Sequence, residues 1–222
     1  MGLVAVGDIH GCARSLADLL RTLDLQASDD IIFIGDYIDR GPDSRGVIDQ
    51  LLDLQQHHSC TFLRGNHEAL FLGYWDHGEA DVFLHNGGRQ TLASYGMEVG
   101  DLTIPESHLS FIRRTRLYRE TPEFLFVHAG LRPGLSVADN LAMGDEMTYL
   151  WERSHIACPD EDLAWEKTVV CGHTPVPEVI DRAKLINIDT GCVFRHRVDY
   201  GRLSAVRLPE REYISVPCSD RF

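Results

Sequence analysis

The sequence is short of positive charge. It sets 21 Lys and Arg against 34 Asp and Glu, a formal net charge of −13 over 222 residues. That balance excludes the broad basic face needed for nucleic-acid or anionic-membrane binding, and leaves room only for a small cationic pocket. Cysteine occurs six times (Cys12, Cys60, Cys158, Cys171, Cys192, Cys218), never as CxxC and never at disulfide-rich spacing, so free, partly buried thiols are expected. No apolar run reaches membrane-spanning length and no signal-like pattern stands at the start, which makes a cytoplasmic protein without membrane or nucleic-acid partners the expectation. Repeats, low-complexity tracts and linkers are missing too. One domain over residues 1–222 is expected, and no pattern specifies an oligomeric state.

What is present is an alternation of short apolar runs and longer amphipathic ones. Leu3–Val6, Ile31–Ile34, Thr61–Leu63, Phe124–Val127 and Thr168–Cys171 read as interior strands. Between the first two, Leu16, Leu19, Leu20 and Leu23 recur at helical spacing, and Val47, Ile48, Leu51 and Leu52 repeat the pattern after the second. Strand–helix alternation predicts an α/β fold with a parallel or mixed sheet. "KLINIDTG" and "YGRLSAVRL" add late strands, read as a second sheet, and residues 77–120 carry helix and loop signals suited to a cap or insertion.

Each interior strand ends in glycine beside a ligand-type residue: "GDIHG" (7–11), "GDYIDRG" (35–41), "RGNHE" (64–68), "VHAG" (127–130) and "CGHT" (171–174). Ligands of open α/β sheets collect beyond the carboxyl ends of strands. Five such ends would therefore bring Asp8, His10, Asp36, Asn66, His67, His128 and His173 to one place, with glycines clearing space around them. Carboxylate, imidazole and amide donors without cysteine suit manganese, iron or zinc in a catalytic setting rather than structural zinc. Seven residues exceed the needs of one ion. Two ions about 3.5–4 Å apart, sharing a carboxylate and holding a hydroxide between them, would use most of the set for in-line attack on a phosphoryl group.

With these motifs in order, the chain resembles the phosphoprotein phosphatase branch of the calcineurin-like metallophosphoesterases, especially its short bacterial and phage serine/threonine phosphatases. The likeness spans nearly the whole chain, since "NIDTG" (187–191) fits the family's closing strand. It implies a β-sandwich of two mixed sheets flanked by helices with a dinuclear site at strand C-terminal ends. It also implies that Asp8, His10 and Asp36 hold one ion and Asp36, Asn66, His128 and His173 the other, most plainly Mn2+, with Fe or Zn as alternatives. His67 is implied as general acid, oriented by Asp39, with Arg40 and, from the "WER" segment, Arg153 gripping phosphate.

The substrate reading that follows is phosphoserine or phosphothreonine in proteins. Its alternative is a dinucleoside polyphosphate, cleaved on the same site. Asp39 and Glu68 favour the first, because symmetrical dinucleotide hydrolases resemble GDLVARG and GNHD at these motifs. Plainer roles remain open: Asp39 could cap the helix after Gly41, and Arg153 could pair with a surface carboxylate. His57, His58, His77, His85, His108, His155 and His196 have no motif around them and read as surface or satisfied polar residues. Arg113–Arg116 and Arg14 read as solvated helix faces, and Trp75, Trp151 and Trp165 as packing.

Overall fold

The computed structural model describes residues 2–222. In chain order the main elements are β1 (Leu3–Val6), α1 (Ala13–Leu23), β2 (Asp30–Phe33), α2 (Ser44–Leu54), β3 (Ser59–Phe62), α3 (Asn66–His77), α4 (Ala80–Phe83), α5 (Arg89–Ser94), α6 (Glu106–Arg113) and β4 (Tyr118–Glu120). There follow β5 (Phe124–Val127), α7 (Val137–Met143), α8 (Glu146–Trp151), β6 (Thr168–Cys171), β7 (Ile180–Asp181), β8 (Leu185–Asn187), β9 (Arg202–Leu208) and β10 (Glu212–Pro217).

The strands form two five-stranded mixed sheets, ordered β10-β9-β1-β2-β3 and β4-β5-β6-β8-β7. In the first, β1, β2 and β3 are parallel, with Val4 opposite Ile31 and Ile31 opposite Cys60, and α1 and α2 make the crossovers. In the second, β5, β6 and β8 are parallel and the edge strands β4 and β7 antiparallel. Successive side chains point to opposite faces, and because both faces are covered these strands are continuous apolar runs. Ala5, Ile32 and Ile34 meet Phe126, Val170 and Ile186 between the sheets, while Val4, Val6, Ile31 and Phe33 face the helices. On the far sheet Leu125, Val127 and Val169 turn outward onto Tyr149 and Trp165. Each such buried aliphatic contributes roughly 1.5–3 kcal/mol.

The sandwich agrees with the expectation, with one correction. "YGRLSAVRL" belongs to the first sheet, as β9, where it runs antiparallel to β1 with Leu3 opposite Leu208. Its hairpin with β10 places β10 at that sheet's edge and β9 between β10 and β1, and "KLINIDTG" alone joins the second sheet as β8. The 77–120 region caps one side: α5 and α6 pack on α2, and α3 touches α6. No helix among the described residues is long and apolar enough to cross a membrane.

Candidate active site

The site forms where the carboxyl ends of β1, β2, β3, β5, β6 and β8 approach one another, delivering Asp8, Asp36, Asn66, His128, His173 and Asp189. Every one of these side chains is buried. The turns that present them are tight and conformationally costly. His10, Asp36, Asp39, Arg40 and His173 all have positive φ, between 48° and 71°, a region where each such non-glycine residue carries a strain of about 1–3 kcal/mol. Glycine is required at two close approaches. A Cβ at Gly172 would stand 2.1 Å from Asp8 Oδ1, and one at Gly65 would stand 2.0 Å from Asp36 Oδ1.

Hydrogen bonding fixes the histidine tautomers. His10 Nδ1 donates to the Ile38 carbonyl at 3.0 Å, and His128 Nδ1 to that of Ile34 at 3.1 Å. Each ring is thereby left with an Nε2 lone pair, the form that ligates a metal. Both lone pairs converge on one carboxylate from opposite sides: His10 Nε2 lies 3.4 Å from Asp36 Oδ2, and His128 Nε2 3.5 Å from Asp36 Oδ1. Around the second imidazole, Asn66 Oδ1 sits 3.1 Å from His128 Nε2 and 2.9 Å from His173 Nδ1, and the two ring nitrogens are 3.2 Å apart. Donor atoms of His10, Asp36 and His67 form one group within 4.8 Å, and those of Asp36, His128 and His173 another, with Asp36 in both.

The electrostatics favour a cation there. Burial pushes His10, His128 and His173 below their ordinary range, so the rings stay neutral and keep their lone pairs. Burial opposes charge on Asp36, yet the four surrounding imidazoles outweigh it and hold Asp36 below the usual carboxylate range. Asp8 is driven up by burial and by the nearby Asp189 and Asp36. Its Oδ2 accepts the His173 amide at 3.0 Å, while its Oδ1 is buried without a partner. Crowded carboxylates, ligand-form imidazoles and an orphaned buried oxygen fit a divalent pair.

His67 stands apart from the other imidazoles. Its Nδ1 is 2.7 Å from Asp39 Oδ2, and its Nε2 is buried, unpartnered and 3.9 Å from Asp36 Oδ2. Burial pulls its pKa down, but the Asp36 and Asp39 carboxylates prevail and raise it. Asp39 in turn receives the Thr91 hydroxyl at 2.6 Å from the capping region. Asp43, not Asp39, caps α2 by accepting the Gly46 amide at 2.8 Å. Arg40 reaches the site with Nη1 2.9 Å from His10 Nε2. Arg153 is exposed, bonds Thr174 Oγ1 at 3.3 Å and lies close enough to Arg40, Asp189 and Asp36 to sense their charge.

Several contributors carried no assigned role in the sequence. Glu68 Oε2 accepts the Gly65 and Asp36 amides and Oε1 that of Tyr37, at 2.8–2.9 Å, tying the second and third motif loops together. Asp189 is buried, and burial together with Asp36 raises it to about 7. Both lie inside quoted motifs, which was the available signal. Trp151 is more than packing, since its ring meets His173 edge-on at 5.8 Å. His108 is satisfied as expected, by Tyr95 and Asp49, whereas His155 is fully buried with Nδ1 unpartnered. His85 and His196, without a motif, line a cavity of about 850 Å³ beside Arg40, along with Phe194, Arg195 and Arg221.

Comparison with known proteins agrees with this geometry. The family model for calcineurin-like phosphoesterases matches residues 1–200. The asymmetrical bis(5'-nucleosyl)-tetraphosphatase PrpE of Anoxybacillus flavithermus is 30% identical, over 96% of this chain and 92% of its own. A crystal structure of a candidate diadenosine tetraphosphatase superposes with a TM-score of 0.71 at 26% identity, covering 97% of this chain and 93% of that one. A serine/threonine phosphatase of Saccharomyces cerevisiae gives a TM-score of 0.66 at 15% identity, covering 100% and 81%. That last likeness concerns the fold alone. The chain belongs to the calcineurin-like phosphoesterases, hydrolases that work with a pair of divalent metal ions.

Proposed function

We propose that this phosphoesterase cleaves dinucleoside polyphosphates, which reverses the order of the two substrate readings drawn from "GDYIDRG" and "GNHE". The observation carrying the proposal is the cavity of about 850 Å³ that opens at Arg40. In a chain of net charge −13 it gathers Arg40, Arg195 and Arg221, with Phe194, Phe222 and His85 along the wall. A cationic, aromatic-lined cleft beside a phosphoryl site suits a substrate with a polyphosphate chain and a planar base. Its relatives' names point the same way.

In this reading Asp8, His10 and Asp36 would hold one ion, and Asp36, Asn66, His128 and His173 the other. Mn2+ suits these oxygen and imidazole donors, with Fe or Zn as alternatives. When bound, the pair would supply an activated water and neutralise phosphoryl charge. Arg40 and Arg153 bind phosphate oxygens, where a guanidinium fork matches the geometry. His67 Nε2 gives a proton to the leaving oxygen, and Asp39 keeps the ring oriented and protonated.

One observation favours phosphoserine and phosphothreonine as a second reading. The buried His67–Asp39 pair is a strong proton-delivery device, and an alkoxide needs that proton more than a nucleotide phosphate does. The manganese-reconstituted enzyme should be assayed in parallel on diadenosine tetraphosphate and a phosphopeptide panel, with chromatography of the nucleotide products. The expected result is a kcat/KM at least about tenfold higher on the dinucleotide, with ATP and AMP released. Higher efficiency on phosphopeptides would overturn the first reading in favour of the second.

A further inference from the structure

Three of the six cysteines meet outside the dinuclear site. Cys12 precedes α1, Cys192 follows "IDTG", and Cys218 follows β10, yet their sulfurs lie within 4.8 Å of one another. Cys12 and Cys192 are buried and Cys218 half-buried, with a path to solvent. The surroundings hold the three in place. Asp220, two residues beyond Cys218, accepts the Arg14 and Ser15 amides at 3.0 Å and the Ser15 hydroxyl at 2.5 Å. The first turn of α1, which has no side-chain cap at Cys12, is thus capped by a residue 205 positions away. The Cys218 amide bonds the Gly201 carbonyl at 2.8 Å. The Ser15 hydroxyl also adjoins the Cys192 and Cys218 thiols.

We infer that Cys12, Cys192 and Cys218 form a third metal site, separate from the dinuclear pair, for a thiophilic cation of the zinc class. Thiolates select zinc over manganese or magnesium. At a Zn–S length of about 2.3 Å, three sulfurs of a tetrahedron stand roughly 3.8 Å apart, a spacing that a group held within 4.8 Å accommodates. Water would complete the fourth position, since the Ser15 hydroxyl is taken up by Asp220 and the Ser219 amide, and the positive end of α1 offsets part of the thiolate charge. The partner groups that would otherwise compete are already committed, because Asp220 spends both carboxylate oxygens on α1. Bound there, zinc would fasten the "GDIHG" loop, the "IDTG" loop and the C-terminal segment together.

Cobalt tests this directly, since the dinuclear donors are nitrogen and oxygen only and give no sulfur-to-cobalt charge transfer. Chelator-stripped protein reconstituted with Co2+ should hold three ions per chain and show a thiolate-to-cobalt band. Cys218→Ser and Cys192→Ser should each hold two and lose the band. In the wild-type chain, Zn2+ should protect Cys218 from iodoacetamide, read by mass spectrometry, while labelling of the half-buried Cys60 and Cys158 is unchanged. Two ions and no band in the wild type, a band surviving in both variants, or a disulfide among the three in place of a third ion would each overturn the inference.

Discussion

Asp36 is the residue on which both donor groups depend, because its two oxygens face His10 and His128 separately. Asp36→Asn keeps the size and removes the charge. It should lower metal content by at least one ion per chain and reduce turnover by three or more orders of magnitude, checked by elemental analysis beside a rate assay. His67→Asn should instead keep the metals and slow turnover about 10²–10⁴-fold on alkyl phosphates. The defect should shrink on p-nitrophenyl phosphate, whose leaving group needs no proton. Asp39→Asn should show a weaker form of the same pattern, since Asp39 acts through the His67 ring. Loss of metal in His67→Asn would make His67 a ligand.

A further residue concerns stability rather than chemistry. His155 is buried against Trp165 and Gly130, and burial pushes it down to about 4 from its ordinary 6.5. The unfolded chain therefore takes up a proton below pH 6.5 that the folded chain refuses until about pH 4. Stability from this group is complete above pH 6.5 and falls as pH drops toward 4, by up to about 3 kcal/mol. Denaturant titrations at pH 7 and pH 4.5 should show His155→Gln losing less stability over that interval than the wild type. An identical loss would exonerate His155.

At the scale of elements, the strand-end loops are set by backbone rather than by core packing. Glu68, at the third residue of α3, caps its own helix and reaches across to the β2 loop. Glu68→Ala would leave four buried amides, those of Asp36, Tyr37, Ile38 and Gly65, without this acceptor, at about 1–3 kcal/mol each. It should lower Tm and weaken metal binding, even though Glu68 belongs to neither donor group; calorimetry with and without Mn2+ measures both effects. These loops also show what sequence could convey. "LVAV" and "IIFI" read plainly because both faces are buried. β10 does not, since "EYISVP" sits at an edge with a mixed face, and the sheet that β9 joins is not legible because local patterning does not say which edge a hairpin joins. Candidate ligands were legible because each stands within two residues of a glycine at a strand end. Asp189 and Glu68 lie inside motifs too, but their work is to receive backbone amides and set local charge, a role that the motif alone does not reveal.

At the scale of the whole molecule, two sheets with their parallel strands aimed at one end produce a single buried polar centre. The cavity beside it is assembled from residues 40, 85–87, 90, 193–196 and 221–222, distant segments whose meeting only the fold defines. Metal that binds the folded chain should raise its Tm. Anomalous diffraction from a manganese-loaded crystal tests the site most directly. Two peaks about 3.5–4 Å apart are expected on either side of the Asp36 carboxylate, one with Asp8 and His10 and one with Asn66, His128 and His173. A single peak, or two that do not share Asp36, would contradict it.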